Sequence, residues 1–196
     1  RPGDNGATAP EPATPARSGA YLMVSEGCDR MCSYCIIPQI KGRFRSYSSS
    51  DLIAEAAQLK RAGVRELTLI SQDTASFGSD TGESLRALVS GLSSLGFKWI
   101  RLLYMNMESF ELGGKRDELL SLYDIPSVLP YFELPVQHLS DPVLRRMGRG
   151  STWEGIRALM EHIKGRFPES VIRTSIITGF PGETEDDFSL LRSRVT

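Results

Sequence analysis

Apolar positions along this chain alternate between two spacings. Short runs with β character occur at 20–25 (AYLMVS), 66–71 (ELTLIS), 99–104, 131–136 and 171–178, and predict five strands. Helical spacing fills the gaps. Leu52, Ile53, Ala56, Ala57 and Leu59 follow a capping signal at Ser48 and Asp51, and Gly63 ends that segment. Leu85, Leu88, Val89, Leu92 and Leu95 form a second stripe closed by Gly96. A third helix is predicted over 115–123. A fourth starts at Ser140 or Asp141 with Pro142 in its first turn. A fifth starts from a capping box at Ser151 and Glu154 and buries Ile156, Leu159, Met160 and Ile163; Thr184 with Asp187 opens the last.

Strands that alternate with helices imply parallel strands joined by right-handed crossovers. Five β/α repeats are fewer than a closed eight-fold barrel needs, so the α/β fold is a partial barrel or an open doubly wound sheet. In both, chemistry gathers at the carboxyl ends of the strands.

Composition narrows the class. A hydrophobic content of 40% and a charged content of 24% suit a globular protein, and a net charge of −1 gives no global field toward nucleic acid or membrane. No apolar run reaches the roughly 18 residues of a membrane span, and no secretory h-region is visible. Residues 1–19 are rich in Pro, Ala, Gly and Thr and have no aliphatic side chain larger than alanine. They read as a disordered tail or linker, which leaves 20–196 as the core domain. The chain stops at Thr196 within a helical pattern, and so reads as part of a longer protein with its last repeat truncated.

All three cysteines, Cys28, Cys32 and Cys35, lie within eight residues directly after the first strand. An odd count argues against a disulfide framework. Free clustered thiols suit a reducing, cytoplasmic setting. Three thiolates on one loop suit an iron–sulfur cluster with one iron left open. Two other readings stand beside it. A structural zinc site needs a fourth ligand, for which His138 and His162 are the only histidines. A redox pair of Cys32 and Cys35 leaves Cys28 unexplained.

C-x-x-x-C-x-x-C after a first strand, with Tyr34 before the last cysteine, resembles the radical S-adenosylmethionine (SAM) superfamily. The run 25–38 (SEGCDRMCSYCIIP), the stretch 41–46 (KGRFRS) and the segment 177–188 (ITGFPGETEDDF) are similar to its methylthiotransferases. The similarity covers about residues 20–190. Ser71-Gln72-Asp73-Thr74 with Gly78, and 134–138 (LPVQH), resemble the branch that methylthiolates an aspartate of a small-subunit ribosomal protein. The tRNA-modifying branch is the alternative, and a non-enzymatic zinc or iron–sulfur module a second one.

The resemblance implies a partial radical-SAM barrel with a [4Fe–4S] cluster on Cys28, Cys32 and Cys35. The open iron would take SAM, which is cleaved reductively to a 5′-deoxyadenosyl radical. An electron donor such as flavodoxin or ferredoxin is implied as a partner. Ser71, Gln72 and Asp73 then fall where the superfamily binds the methionine amino group, against the ordinary reading of a polar loop start. Tyr34 either packs on the adenine or merely covers the cluster. Gly179 and Gly182 let backbone approach a nucleoside, or simply make a strand–turn–helix junction. Glu183 is a first-turn acid suited to the helix dipole. Arg173, read as lying among apolar residues, needs a partner: the SAM carboxylate, or Glu133 as an ion pair. Gln137 and His138 end the fourth strand and face SAM or substrate, although a histidine there is more often structural. Lys41, Arg43 and Arg45 meet ribosomal RNA or an acidic substrate face, or are a solvated loop. Met105 and Met107 read as core, and Gly27 as a turn.

The pattern is also broken. Full members of the family carry a second [4Fe–4S] cluster on three further cysteines, a carboxyl-terminal TRAM domain and a sixth strand. None of these is visible here, which puts sulfur transfer by these residues alone in doubt and leaves a sheet edge open.

Overall fold

The structure, a computed structural model, describes residues 18–111 and 115–195. The tail at 1–17 lies outside the described residues. Ser18 and Gly19, read with that tail, belong instead to the domain. The Ser18 carbonyl accepts from Arg65 N and Glu66 N, and Gly19 opens the first strand.

The five anticipated strands are present in parallel array. They are β1 (Gly19–Met23), β4 (Glu66–Ile70), β5 (Trp99–Leu102), β6 (Tyr131–Glu133) and β7 (Val171–Arg173). β4 lies between β1 and β5, with Leu22 opposite Leu69 and Leu69 opposite Leu102. β6 pairs with β7 in a second ladder. An Ile100–Val128 bridge and the Met105 N–Glu133 O bond at 3.2 Å carry the array across the junction. This is a partial (β/α) barrel rather than a doubly wound sheet, since spatial order follows chain order. The last three strands are shorter than their apolar runs. Beyond Leu102, Glu133 and Arg173 the backbone leaves the ladder to form site loops, keeping only an isolated Gln137–Ile176 bridge.

The first run is broken at Val24. Its end becomes β2 (Ser25–Glu26), which pairs antiparallel with β3 (Arg45–Ser46). This two-residue clasp was not anticipated, because so short a segment carries no period.

Alternation of side chains decides which face is buried. Leu22, Leu67, Leu69, Ile100 and Leu102 are inaccessible and join the core. α2 (Ser49–Arg61) contributes Leu52 and Ala56, and α3 (Leu85–Ser94) contributes Leu85, Leu88, Val89 and Leu92. α7 (Trp153–Arg166) adds Ile156, Leu159 and Ile163, with Met160 only half-buried. Tyr123 stacks on Phe132 at 3.8 Å between centroids. Met105 and Met107 are core residues, as expected. The opposite sheet face mixes apolar side chains such as Tyr21, Trp99 and Val171 with paired charges. There Arg101 bonds Glu66 at 3.0 Å and lies over the Tyr131 ring, and Glu133 bonds Arg173 at 2.6 Å.

Capping departs from expectation at two helices. Ser48 Oγ bonds the Ser50 hydroxyl rather than a helix amide, and the Glu83 carboxylate accepts from Ser49 N. Thr152, not Ser151, caps α7, accepting from Gly155 N, while Glu154 pairs with Arg157. An orphan amide is thus satisfied by a side chain from elsewhere at α2 and by one a position along at α7. The third helix is shorter than its 115–123 prediction: α5 (Arg116–Leu120) runs into a 3₁₀ turn, and α4 (Met107–Glu111) precedes it unpredicted. Two short helices complete the set, α1 (Ile37–Lys41) and α6 (Asp141–Arg146). Among the described residues no helix is long and apolar enough to cross a membrane.

The box that opens α8 (Glu185–Val195) is formed. Thr184 N and Oγ1 donate to Asp187, and Asp187 N donates back to Thr184 Oγ1. The Ser140 hydroxyl, then the Thr184 amide and hydroxyl, hold the Asp187 carboxyl at about 2. Thr184→Ala is expected to cost about 1 kcal/mol, read as a lowered denaturation midpoint. The folded value lies below the ordinary 3.8, so the Asp187 contribution is complete above about pH 4 and lost as pH falls through 2. The cost of Asp187→Asn, measured by denaturant unfolding, should therefore shrink across that acid window.

Candidate metal centre

The cysteine loop hangs from the β2–β3 clasp and is pinned at three places. At its base Gly27 has φ +80, and its N donates to Gln72 Oε1 at 2.7 Å. A Cβ there would lie 2.2 Å from the Arg43 carbonyl oxygen, so this turn accepts only glycine. Just beyond, Cys28 N donates to Gly42 O, and Asp29 accepts from Arg43 and Phe44 N. At its far side, Ser33 N and Oγ donate to the Met147 and Arg146 carbonyls at the end of α6. Those carbonyls have no partner within the helix, so the loop caps the helix that holds it. Gly148, with φ +71, lets that corner come close to the Met31 carbonyl.

All three thiols border one cavity of about 190 Å³, whose other walls include Tyr34, Gln72, Tyr104, Asn106, Gln137 and Arg149. A second cavity of about 400 Å³ shares Cys28, Cys35, Gln72 and Tyr104 with it and adds Met23, Ile37, Ile70 and Ser71. Burial pushes the Cys28 thiol up, opposed by the Arg30 amide that donates to its sulfur at 3.4 Å. Burial, then the nearby Cys32, pushes the Tyr34 phenol up to about 12, so the ring stays neutral at physiological pH. Tyr34 meets Phe180 edge to face at 6.4 Å, which joins the loop to the turn after β7.

The predicted residues divide by position. Tyr34, Ser71, Gln72 and Gln137 border the cavities. Asp73 does not: it is buried, bonding Arg30 at 2.9 Å and Ser76 Oγ at 2.7 Å. Glu133 is buried too, and accepts from Tyr104 N and Arg173. Arg173 is not embedded among apolar side chains as its sequence neighbours suggested. It stands on the exposed face of β7, because strand alternation turns it away from Ile172. Gly179 and Gly182 both have positive φ, and the Gly182 carbonyl accepts from Arg146. Glu183 is more than a first-turn acid. It folds inward, accepts from Phe180 N, and lies 3.5 Å from His138 Nε2. His138 is fully buried, with Nδ1 taken by Ser140 N, and His162 is on the exposed side of α7. Neither histidine lines the cysteine cavities. The basic run is paired rather than free: Lys41 and Arg45 with Glu26, Arg43 with Asp29.

Several side chains at the site were not anticipated, among them Arg30, Tyr104, Glu108 and Arg149. Arg30 and Arg149 share the Glu108 carboxylate, at 2.8 and 3.2 Å. Tyr104 borders both cavities with φ +58, a left-handed geometry rare for a bulky residue. Arg30, inside the cysteine loop, was the most findable. The others lie on segments without a motif.

A parallel β/α half-barrel that presents three thiols at the carboxyl end of its first strand has the architecture of a cluster-bearing catalytic core. The profile of the radical SAM superfamily matches residues 22–194, and the chain belongs to that superfamily. Among curated relatives, the ribosomal protein uS12 methylthiotransferase RimO of Geotalea uraniireducens is 45% identical over 176 residues, covering 88% of this chain and 38% of that protein. Its counterpart in Thermotoga maritima is 42% identical over 183 residues, covering 91% and 41%. The chain thus spans about two fifths of the length of these relatives. Two solved structures share the fold at 14% identity. The radical SAM methyltransferase TsrM from Kitasatospora setae has a TM-score of 0.69 and covers 92% of this chain and 34% of its own. The cobalamin-dependent radical enzyme OxsB has a TM-score of 0.67 and covers 89% and 26%.

Membership brings the superfamily's cofactors, a [4Fe–4S] cluster and SAM. The donor set fits them. Three thiols on one cavity are what a three-cysteine cluster needs. The adjoining cavity has the size of a small-molecule site. Gly27→Ala should cost more than about 2 kcal/mol at this turn. The expected result is loss of bound iron after anaerobic reconstitution, with the far-ultraviolet dichroism retained.

Proposed function

We propose that this chain is the radical-SAM core of a methylthiotransferase whose acceptor is an aspartate of the small-subunit ribosomal protein uS12. The observation that carries the reading is 42–45% identity to uS12 methylthiotransferases over 173–183 residues. In this reading Cys28, Cys32 and Cys35 ligate three irons and leave the fourth to SAM. When bound, the cluster and SAM would supply the superfamily's radical chemistry, reductive cleavage of the sulfonium and hydrogen removal from the substrate.

The chain's own residues hold and screen that chemistry. Ser71 and Gln72 form the polar wall for the methionine end, with Gln72 oriented by its bond from Gly27 N. Gln137, held left-handed by the Ile176 bridge, and the neutral Tyr34 ring close the other side. Asp73 acts from behind by fixing Arg30; Glu133 and Arg173 fix Tyr104 N and the β6–β7 edge. Gly179 and Gly182 shape the nucleoside turn. The three thiols are committed to one cluster, so the second [4Fe–4S] cluster expected in full-length members draws on other residues. A flavodoxin or ferredoxin supplies the electron, and the ribosomal substrate places the reaction in the cytoplasm.

Anaerobic reconstitution should load about four irons per chain and permit SAM cleavage by dithionite. Changing any one of the three cysteines to alanine should abolish the cleavage and most of the iron. A chain that binds zinc and no iron would overturn the reading. The acceptor is tested by mass spectrometry of uS12 and of tRNA from a strain lacking the full-length gene. Loss of the methylthio mass on the uS12 aspartate is expected; loss on a tRNA adenosine instead would move the chain to the other branch.

A further inference from the structure

Among the described residues Arg149 is the one guanidinium that borders the cysteine cavity while almost wholly buried, with 5% of its side chain exposed. It is held on three sides. Nε faces Glu108 Oε1 at 3.2 Å, and Nη2 donates to Pro135 O at 3.1 Å and to Asn106 Oδ1 at 3.5 Å. Its remaining nitrogen, Nη1, is directed at Cys32 Sγ, 4.0 Å away. Glu108 is itself fixed, accepting from Gly150 N and from Arg30, whose other nitrogens bond Asp73 and Ser109. Two guanidiniums and two carboxylates thus form a neutral chain, buried except at Arg30, which is half-buried. Its positive end stands nearest the Cys32 sulfur.

We infer that Arg149 is a positioning residue that acts through Cys32 to raise the reduction potential of the cluster. The inference rests on the reading of the three cysteines as cluster ligands. One-electron reduction adds negative charge to the cluster and its thiolates. A fixed positive group beside one thiolate, with its carboxylate partner behind it, favours the reduced state because the nearer charge dominates the field. Hydrogen bonds to cluster sulfurs act in the same direction, and burial keeps water from screening either effect. A purely structural Arg149 would only tie the loop after α6 to the strand ends.

The two roles separate in an electron paramagnetic resonance redox titration of the anaerobically reconstituted chain. In Arg149→Gln the reduced-to-oxidised ratio at the wild-type midpoint should fall up to tenfold, about 59 mV for a one-electron couple. Glu108→Gln removes the negative partner and keeps Arg149, so its midpoint should move the opposite way. Opposite shifts at unchanged iron and sulfide content are a result that loosened packing does not produce. Should Arg149→Gln fail to load, Glu108→Gln decides alone. Unmoved midpoints in loaded variants overturn this inference and leave the proposed function standing; an unaltered chain that takes no iron overturns the cluster reading itself.

Discussion

Glu108 lies between two guanidiniums, and the site's geometry depends on that arrangement. It belongs to α4, a five-residue helix after β5. Arg30 reaches it from the cysteine loop and Arg149 from the loop after α6. Removing either cation would leave a buried carboxylate short of a partner, which costs several kcal/mol. The three loops are therefore locked together by a shared charge rather than by apolar packing. The choice suits a site at a strand end, where the core has run out and the backbone has left its ladder. Polar partners fix direction as well as contact, so the thiols are presented at set positions on one cavity.

α6 extends that constraint to the opposite wall. Its carboxyl end receives the cysteine loop through Ser33, while its amino-terminal Ser140 donates to Asp187 and its Arg146 bonds the Gly182 carbonyl. Tyr34 and Phe180 meet directly across the same gap. The loop that carries the thiols and the turn after β7 are thus both tied to the carboxyl end of one short helix, and α8 to its amino end. A ligand that touched both would meet a preformed site, and would recover affinity otherwise spent on ordering loops.

The inner face of the half-barrel is held by charge as well. Arg101 pairs with Glu66 and covers Tyr131, while Arg173 pairs with Glu133, which also receives Tyr104 N. The exposed pairs contribute little to stability. Glu133 differs because it is buried and bonded to backbone, so it sets the left-handed turn at Tyr104 that shapes both cavities.

Periodicity in the chain determined the order and direction of the five strands, the helices that cover them and the place where the cysteines emerge. These follow from local spacing, because a buried face repeats every two or every 3.6 residues whatever lies opposite. The three thiols were legible for the same reason, being neighbours in sequence. Arg30, Glu108 and Arg149 were not. They are 41 to 119 residues apart, each has an ordinary surface reading, and only the parallel stacking of strands brings their loops to one edge. The cap of α7 also had to be read from the fold, for Thr152, one position past Ser151, accepts from Gly155 N, and Glu83, 34 residues away, accepts from Ser49 N at the start of α2. Tertiary structure also decided that Arg173 shares a face with Glu133, since the pleat assigned it a side that its apolar neighbours could not reveal.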